Sequence, residues 1–114
     1  MAFTESELQA IEDTVGGLCR RRSPAHLQDP LRLVYEVEGH RVSVFDERPG
    51  WHDPSQWVRI GVARFRYFRS RGTWTLYWMR RDLKWHVYEP ARPTRDLAAL
   101  VKVVDQDGYG AFFG

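Results

Sequence analysis

Between residues 57 and 89 the chain reads as three short runs, 57–70, 73–80 and 83–89, separated by Arg71-Gly72 and Arg81-Asp82. Apolar and polar residues alternate along these runs, which is the period of a strand with one buried face. A two-residue turn fixes the register of the strands it joins, so the two turns can be checked against each other. With Arg71-Gly72 as a turn, Tyr67 lies opposite Leu76 and Phe65 opposite Trp78. With Arg81-Asp82 as the next, Trp78 lies opposite Trp85 and Leu76 opposite Val87. Both turns then build one apolar face from Phe65, Tyr67, Trp74, Leu76, Trp78, Trp85 and Val87. The other face receives Arg64, Arg66, Phe68, Thr75, Tyr77, Met79, Lys84, His86 and Tyr88, which is cationic and aromatic with no acid. The expected structure is a three-stranded antiparallel meander.

Upstream, Leu31, Leu33, Tyr35 and Val37 alternate with Arg32, Glu36 and Glu38, and Gly39-His40 has glycine first, as a type II′ turn requires. That turn sets Val37 against Val42, Tyr35 against Val44, Val34 against Phe45, Glu38 against Arg41 and Arg32 against Glu47. Apolar meets apolar and charge meets opposite charge, and a one-residue slip would scramble every pair. In the next strand Val58, Ile60 and Val62 hold one phase and Ala63, Phe65 and Tyr67 the other, a change that predicts a β-bulge at Gly61.

Two helices flank these strands. Thr4 and Glu7 form a capping box, Phe3 and Leu8 a hydrophobic staple, and Leu8, Ile11, Val15 and Leu18 an apolar stripe. Gly16-Gly17 weakens the helix, Arg20, Arg21 and Arg22 suit its negative end, and Ser23-Pro24 stops it; residues 25–30 connect it to the first strand. Near the C-terminus Thr94 is the expected cap of a helix with Asp96 in its first turn, a stripe of Leu97, Leu100, Val101 and Val104, and an end at Asp107-Gly108. The tail, with Tyr109, Phe112 and Phe113, is too apolar to stay in water and either tucks under the sheet or reaches a partner. The expected fold is α+β: one domain over 1–114, a curved antiparallel sheet of about five strands in meander order, and both helices on its tryptophan-rich face.

Composition narrows the function classes. Five Trp, six Phe and five Tyr supply a core without cross-links, and the net charge of +2 is too balanced to imply nucleic acid by itself. Fifteen arginines to two lysines favour interfaces and anion contacts. The lone Cys19 rules out an internal disulfide and a multi-cysteine zinc site. No basic-then-apolar leader and no apolar run of about 18 residues is present, so a cytoplasmic protein without a membrane span is expected. His26, His40, His52 and His86 share no ligand spacing, and no serine sits in a nucleophile elbow, so neither a metal, a cofactor nor a catalytic residue is expected. Asp46 falls on the apolar side of its strand opposite Leu33, where it has a raised pKa if buried, sits exposed at a frayed strand end, or pairs with a neighbour such as Arg48. The loop 49–56 carries Trp51, His52 and Asp53 and is the longest between strands.

The stretches Gly17-Leu18-Cys19-Arg20-Arg21-Arg22, Leu31-Arg32-Leu33, Gly39-His40, 74–78, 85–88 and Phe112-Phe113-Gly114 resemble small bacterial proteins catalogued as domain of unknown function 3024. The resemblance runs nearly end to end. It implies a free-standing bacterial domain and carries over no activity and no functional residue.

Three functions stay open. The first is a non-enzymatic interaction module, a homodimer or protein-partner domain using the basic-aromatic face (Arg64, Arg66, Phe68, Tyr77, Met79, Lys84, His86, Tyr88), the aromatic tail, or both. The alternative is single-stranded nucleic acid, with Phe68, Tyr77 and Tyr88 under bases and Arg64, Arg66, Lys84 and His86 on phosphates. A further alternative is a small-ligand pocket or enzyme site near Trp51, His52 and Asp53.

Overall fold

A computed structural model describes residues 3–23 and 31–114; the connector and His26 lie outside them. Five strands, β1 (Arg32–Glu38), β2 (Arg41–Pro49), β3 (Trp57–Phe68), β4 (Thr73–Met79) and β5 (Trp85–Val87), form one antiparallel sheet in the order β1-β2-β3-β4-β5. Helix α1 (Glu5–Ile11) runs through a π-helical turn (Glu12–Gly16) into α2 (Gly17–Arg21), and α3 (Leu97–Gln106) follows the sheet. This is the expected α+β meander with a helix at each end.

The first helix is capped as its sequence dictates: the Thr4 hydroxyl accepts from Glu7 N, and Glu7 reaches back to Thr4 N. It is not one uniform helix. The Glu12 carboxylate occupies the space a Cβ on Gly16 would need, at 2.8 Å, and Glu12 bonds to Tyr35 and Arg20. Across this turn the buried stripe becomes Ile11, Val15, Leu18 and Cys19, while Leu8 is left 40% exposed. Phe3 instead stacks on Trp74, with ring centroids 5.6 Å apart. Arg21 and Arg22 bind Asp105 of α3, which ties the helical ends together.

The β1–β2 hairpin has the expected register at every pair, with Gly39 at φ 58 and His40 outside the left-handed region. The bulge falls where the phase changes: Val44 pairs with Ala63 and Phe45 with Gly61, leaving Val62 as the extra residue. Asp46 is held by Arg48 through two bonds of 3.1 and 2.7 Å, the paired alternative for this acid.

The meander departs from its expected register twice. Between β3 and β4 the connection is residues 69–72, with Gly72 left-handed at φ 66 and its N–H donating to Phe68 O at 2.8 Å. Tyr67 therefore faces Trp74 and Phe65 faces Leu76, a shift of two that leaves every side chain on its expected face. Between β4 and β5 the turn holds three residues instead of two. Leu83 N donates to Arg80 O (2.8 Å), Arg80 N to Lys84 O (3.2 Å), and Leu83 is left-handed at φ 62. Trp78 now faces His86 and Met79 faces Trp85, a shift of one. Because side chains alternate along a strand, that single residue turns β5 over.

Both helices pack on the face carrying Val42, Val44, Ala63, Phe65, Trp74 and Leu76, with Leu100, Val101 and Val104 from α3. Tyr88 completes this core at 4% exposure. Asp96, not Thr94, caps α3 by accepting from Ala98 N; Thr94 is drawn instead into a bridge with Trp74. The tail tucks in. Asp107, left-handed at φ 47, accepts from Phe112 N and Phe113 N at 3.0 and 2.8 Å. Phe112 then packs on Tyr88, and Arg22 lies 3.8 Å over the Phe113 ring.

Candidate functional site

The helices and tail cover one face of the sheet, so the other face is the place to look for a site. Of the residues expected there, Arg64, Arg66, Phe68, Tyr77 and Met79 lie on it, together with Thr75. His86 and Tyr88 do not: the slipped β5 register places His86 opposite Trp78 and Tyr88 in the core. Lys84 belongs to the turn before β5 and is exposed. Trp85 and Val87, read as core, take the vacated places on the open face.

Trp85 is the centre of this face. It meets Phe45 edge-on at 6.4 Å, and the Arg64 guanidinium lies 4.6 Å over its ring. It also covers Gly61, where a Cβ would stand 2.8 Å from its ring and from the end of Met79. The glycine that marks the bulge thus serves a second purpose, close approach of an indole to the strand backbone.

Arginines roof the aromatics along the whole face. Arg32 lies 4.2 Å over Trp57, Arg59 4.7 Å over Phe45, and Arg66 and Arg71 at 4.8 and 5.0 Å over Phe68. Each such contact contributes about 0.5–1 kcal/mol where exposed. Ser43 and Thr75 on this face are buried, at 6% and 8% exposure, and Ser43 bonds to Arg64.

Charge is unevenly shared. At one end Glu47 accepts from both Arg32 and Arg59, and Arg59 also binds Glu36; Arg59 and then Arg32 hold the Glu47 carboxyl below its ordinary range. Toward the β3–β4 end, Arg64, Arg66 and Arg71 make no ion pair among the described residues. Arg64 bonds to Ser43 Oγ at 2.8 Å, and burial followed by the nearby Arg41 lowers its guanidinium pKa. Glu38, which binds Arg41, offsets Arg64 in part, and an anionic or acidic partner would relieve the remaining repulsion.

Trp51, His52 and Asp53 lie in the loop between β2 and β3. They occupy the tip of the β2–β3 hairpin, where Gly50 N donates to Gln56 O at 2.6 Å. Asp53 is spent on Ser55, accepting from its N and Oγ, and this holds its carboxyl below the usual range. Trp51 is 89% exposed, its ring 4.5 Å from His52. A cleft of about 510 Å³ lies elsewhere, between β5 and the tail, lined by Trp78, Arg80, His86, Tyr88 and Tyr109 among others.

Cys19 is buried, and desolvation pushes its thiol up to about 11, so it is not a nucleophile near neutral pH. Among the described residues, no group of three or more His, Cys, Asp and Glu side chains is placed to share a metal ion, and no helix is long and apolar enough to cross a membrane.

Sequence patterning missed Trp85, Phe45, Arg59 and Arg71 on the open face. Phe45 and Arg59 were legible from the β1–β2 register and the bulge carried one strand further. Trp85 was not, because its face depends on a left-handed leucine.

Among known proteins, one family model matches residues 3–114, and its description is Domain of unknown function (DUF3024). No curated protein and no solved structure matches the chain.

Proposed function

The chain belongs to the DUF3024 family, which brings no activity with it, and from the geometry we propose that it is a non-enzymatic interaction module that self-associates through its uncovered sheet face. The observation that carries this reading is that both helices and the tail pack on one face, while the other presents Phe45, Phe68, Tyr77, Met79 and Trp85 under arginines. Aromatic, methionine and arginine side chains are the types enriched in the cores of protein interfaces. The tail is spent within its own chain, which narrows the contact to the sheet. Acids paired within the chain, Glu36 with Arg59 and Glu38 with Arg41, border the cations Arg64, Arg66 and Arg71, which make no ion pair among the described residues. A surface divided in this way can complement a second copy of itself about a two-fold axis.

Sedimentation velocity over a wide concentration range tests the proposal. A dimer that Arg64→Glu with Arg66→Glu dissociates supports it. Monomers at every concentration would remove it.

The arginines Arg64, Arg66 and Arg71, which make no ion pair among the described residues, favour a second reading, single-stranded nucleic acid whose phosphates they track. It ranks second because Trp85 and Phe68 already carry arginines, so a base could stack only by displacing them. Fluorescence anisotropy with a labelled oligonucleotide at low salt decides it. Binding that weakens steeply with salt is expected on this reading, and no change in anisotropy would end it.

A further inference from the structure

The edge strand β5 and the cleft beside it form a second surface, which borders the open face along Trp85 and Val87. Among the described residues no strand pairs with β5 on its far side. Arg80 N donates to Lys84 O and Tyr88 N to Leu76 O, so the even-numbered residues turn their amides toward β4. In an antiparallel ladder the odd-numbered ones, Trp85 and Val87, then turn their N–H and C=O groups outward. Sheets commonly protect such an edge with charge. The opposite edge, β1, carries Arg32, Glu36 and Glu38, whereas β5 presents Trp85, His86 and Val87.

The cleft of about 510 Å³ runs along this edge on the helix-bearing side, between His86 and Tyr88 on one wall and Tyr109 to Ala111 on the other. Arg80 stands at one end, its guanidinium 5.6 Å over Trp78. Tyr88, in the cleft wall, is buried against Phe112. Arg80, Arg81 and Lys84 make no ion pair among the described residues; of the nearby acids, Asp82 is occupied by His86 Nε2 at 2.9 Å and Lys84 N at 3.0 Å, and Glu89 lines the cleft, which leaves the cations in excess.

We infer that β5 takes an extended, acidic peptide as an added strand, with one apolar side chain of that peptide seated in the cleft beside Tyr88 and Tyr109. Outward backbone groups supply sequence-independent hydrogen bonds, and a pocket beside them selects alternate side chains, which is how strand addition divides affinity from specificity. Residues two apart on a strand share a face. The peptide therefore carries an acid two positions from its apolar anchor, placing the carboxylate toward Arg80. The short edge offers too few backbone bonds to hold a second copy by itself, and the uncompensated cations of this turn would repel their own kind.

The test uses the whole protein and a fluorescein-labelled peptide of threonines carrying one phenylalanine and one glutamate two positions apart, read by anisotropy. Val87→Pro removes an outward N–H without taking a bond from the β4 ladder, which an edge strand tolerates. It should weaken binding about tenfold, the loss expected for a backbone bond at a recognition edge. The same peptide N-methylated along its β5-facing side should lose binding on the unaltered protein, so the test does not depend on the variant folding. Arg80→Glu should weaken the glutamate peptide and restore binding of its lysine counterpart. Binding unaffected by both Val87→Pro and N-methylation would overturn the inference, as would no binding of the peptide at low salt. A dimer that Val87→Pro dissociates but Arg64→Glu with Arg66→Glu leaves intact would also overturn it, by assigning the edge to a second copy. Self-association through the open face, which Arg64→Glu with Arg66→Glu disrupts, is untouched by these outcomes.

Discussion

Replacing Gly61 with alanine separates the observed β5 register from the one that turn chemistry alone suggests. A Cβ at Gly61 would stand 2.8 Å from Met79 Cε and 2.8 Å from two carbons of the Trp85 ring. Met79 can swing its terminal methyl away. The indole cannot move as freely, held by Phe45 at its edge and Arg64 over its ring. Overpacking of this kind costs about 1–3 kcal/mol, against about 0.5–1 kcal/mol regained because alanine restricts the unfolded backbone more than glycine. The net expectation is a loss of about 1–2 kcal/mol, or a fall in Tm of roughly 3–8 °C for a domain of this size. With Trp85 on the helix-bearing face instead, the added methyl would meet the movable end of Met79 and not the indole, and Gly61→Ala would be neutral or stabilising. Urea titration followed by far-UV circular dichroism measures the difference, and Trp85→Ala completes a double-mutant cycle. In the Trp85→Ala background the cost of Gly61→Ala should largely vanish. An unchanged or raised midpoint for Gly61→Ala, or additive effects in the cycle, would refute the placement of Trp85.

Three other outcomes follow from particular contacts. Leu83 is 72% exposed and held at φ 62, so Leu83→Gly should raise stability by about 0.5–1 kcal/mol in the same titration by relieving left-handed strain. The Glu7 carboxyl is lowered from 4.5 to about 2, first by its bond from Arg69 and next by Thr4 N. A depressed carboxyl stabilises the fold above its unfolded value and loses that contribution as pH falls from about 4.5 toward 2. Glu7→Gln should accordingly flatten the acid limb of a stability–pH profile over that window. Asp107→Ala leaves the Phe112 and Phe113 amides without their acceptor and strains a left-handed residue, a loss of about 2–3 kcal/mol by thermal melt. Asp107→Gly removes only the strain and should recover about 1 kcal/mol of it.

How far the sequence reached is visible in its turns. Gly39-His40 has turn chemistry and gave a register correct at every pair, because glycine first in a two-residue loop leaves few alternatives. The change of phase beside Gly61 located the bulge for the same reason, since a break in a period-two pattern has a specific structural cause. Residues 69–72 closed with glycine as expected but with two more residues, an even shift that alternation absorbs. The β4–β5 turn was illegible. A three-residue loop of this type needs a left-handed third residue, normally signalled by glycine or asparagine, and here that residue is Leu83. One odd shift moved His86 and Tyr88 out of the candidate site and Trp85 and Val87 into it. The helix-bearing core was largely readable, while composition of the open face was readable only as far as that turn. The fate of the tail was equally hidden, because it depends on the Asp107 carboxylate reaching two amides further along the chain.

Hydroxyl-radical footprinting by mass spectrometry, on the unaltered protein when dilute and when concentrated, tests the open face most directly. Phe45, Phe68, Met79 and Trp85 should be oxidised in dilute solution and protected on concentration, while Phe65 and Trp74 stay unreactive throughout. Trp85 as inert as Trp74 in dilute solution would place it in the core and contradict the fold. Equal oxidation of the open face at both concentrations would contradict self-association through it.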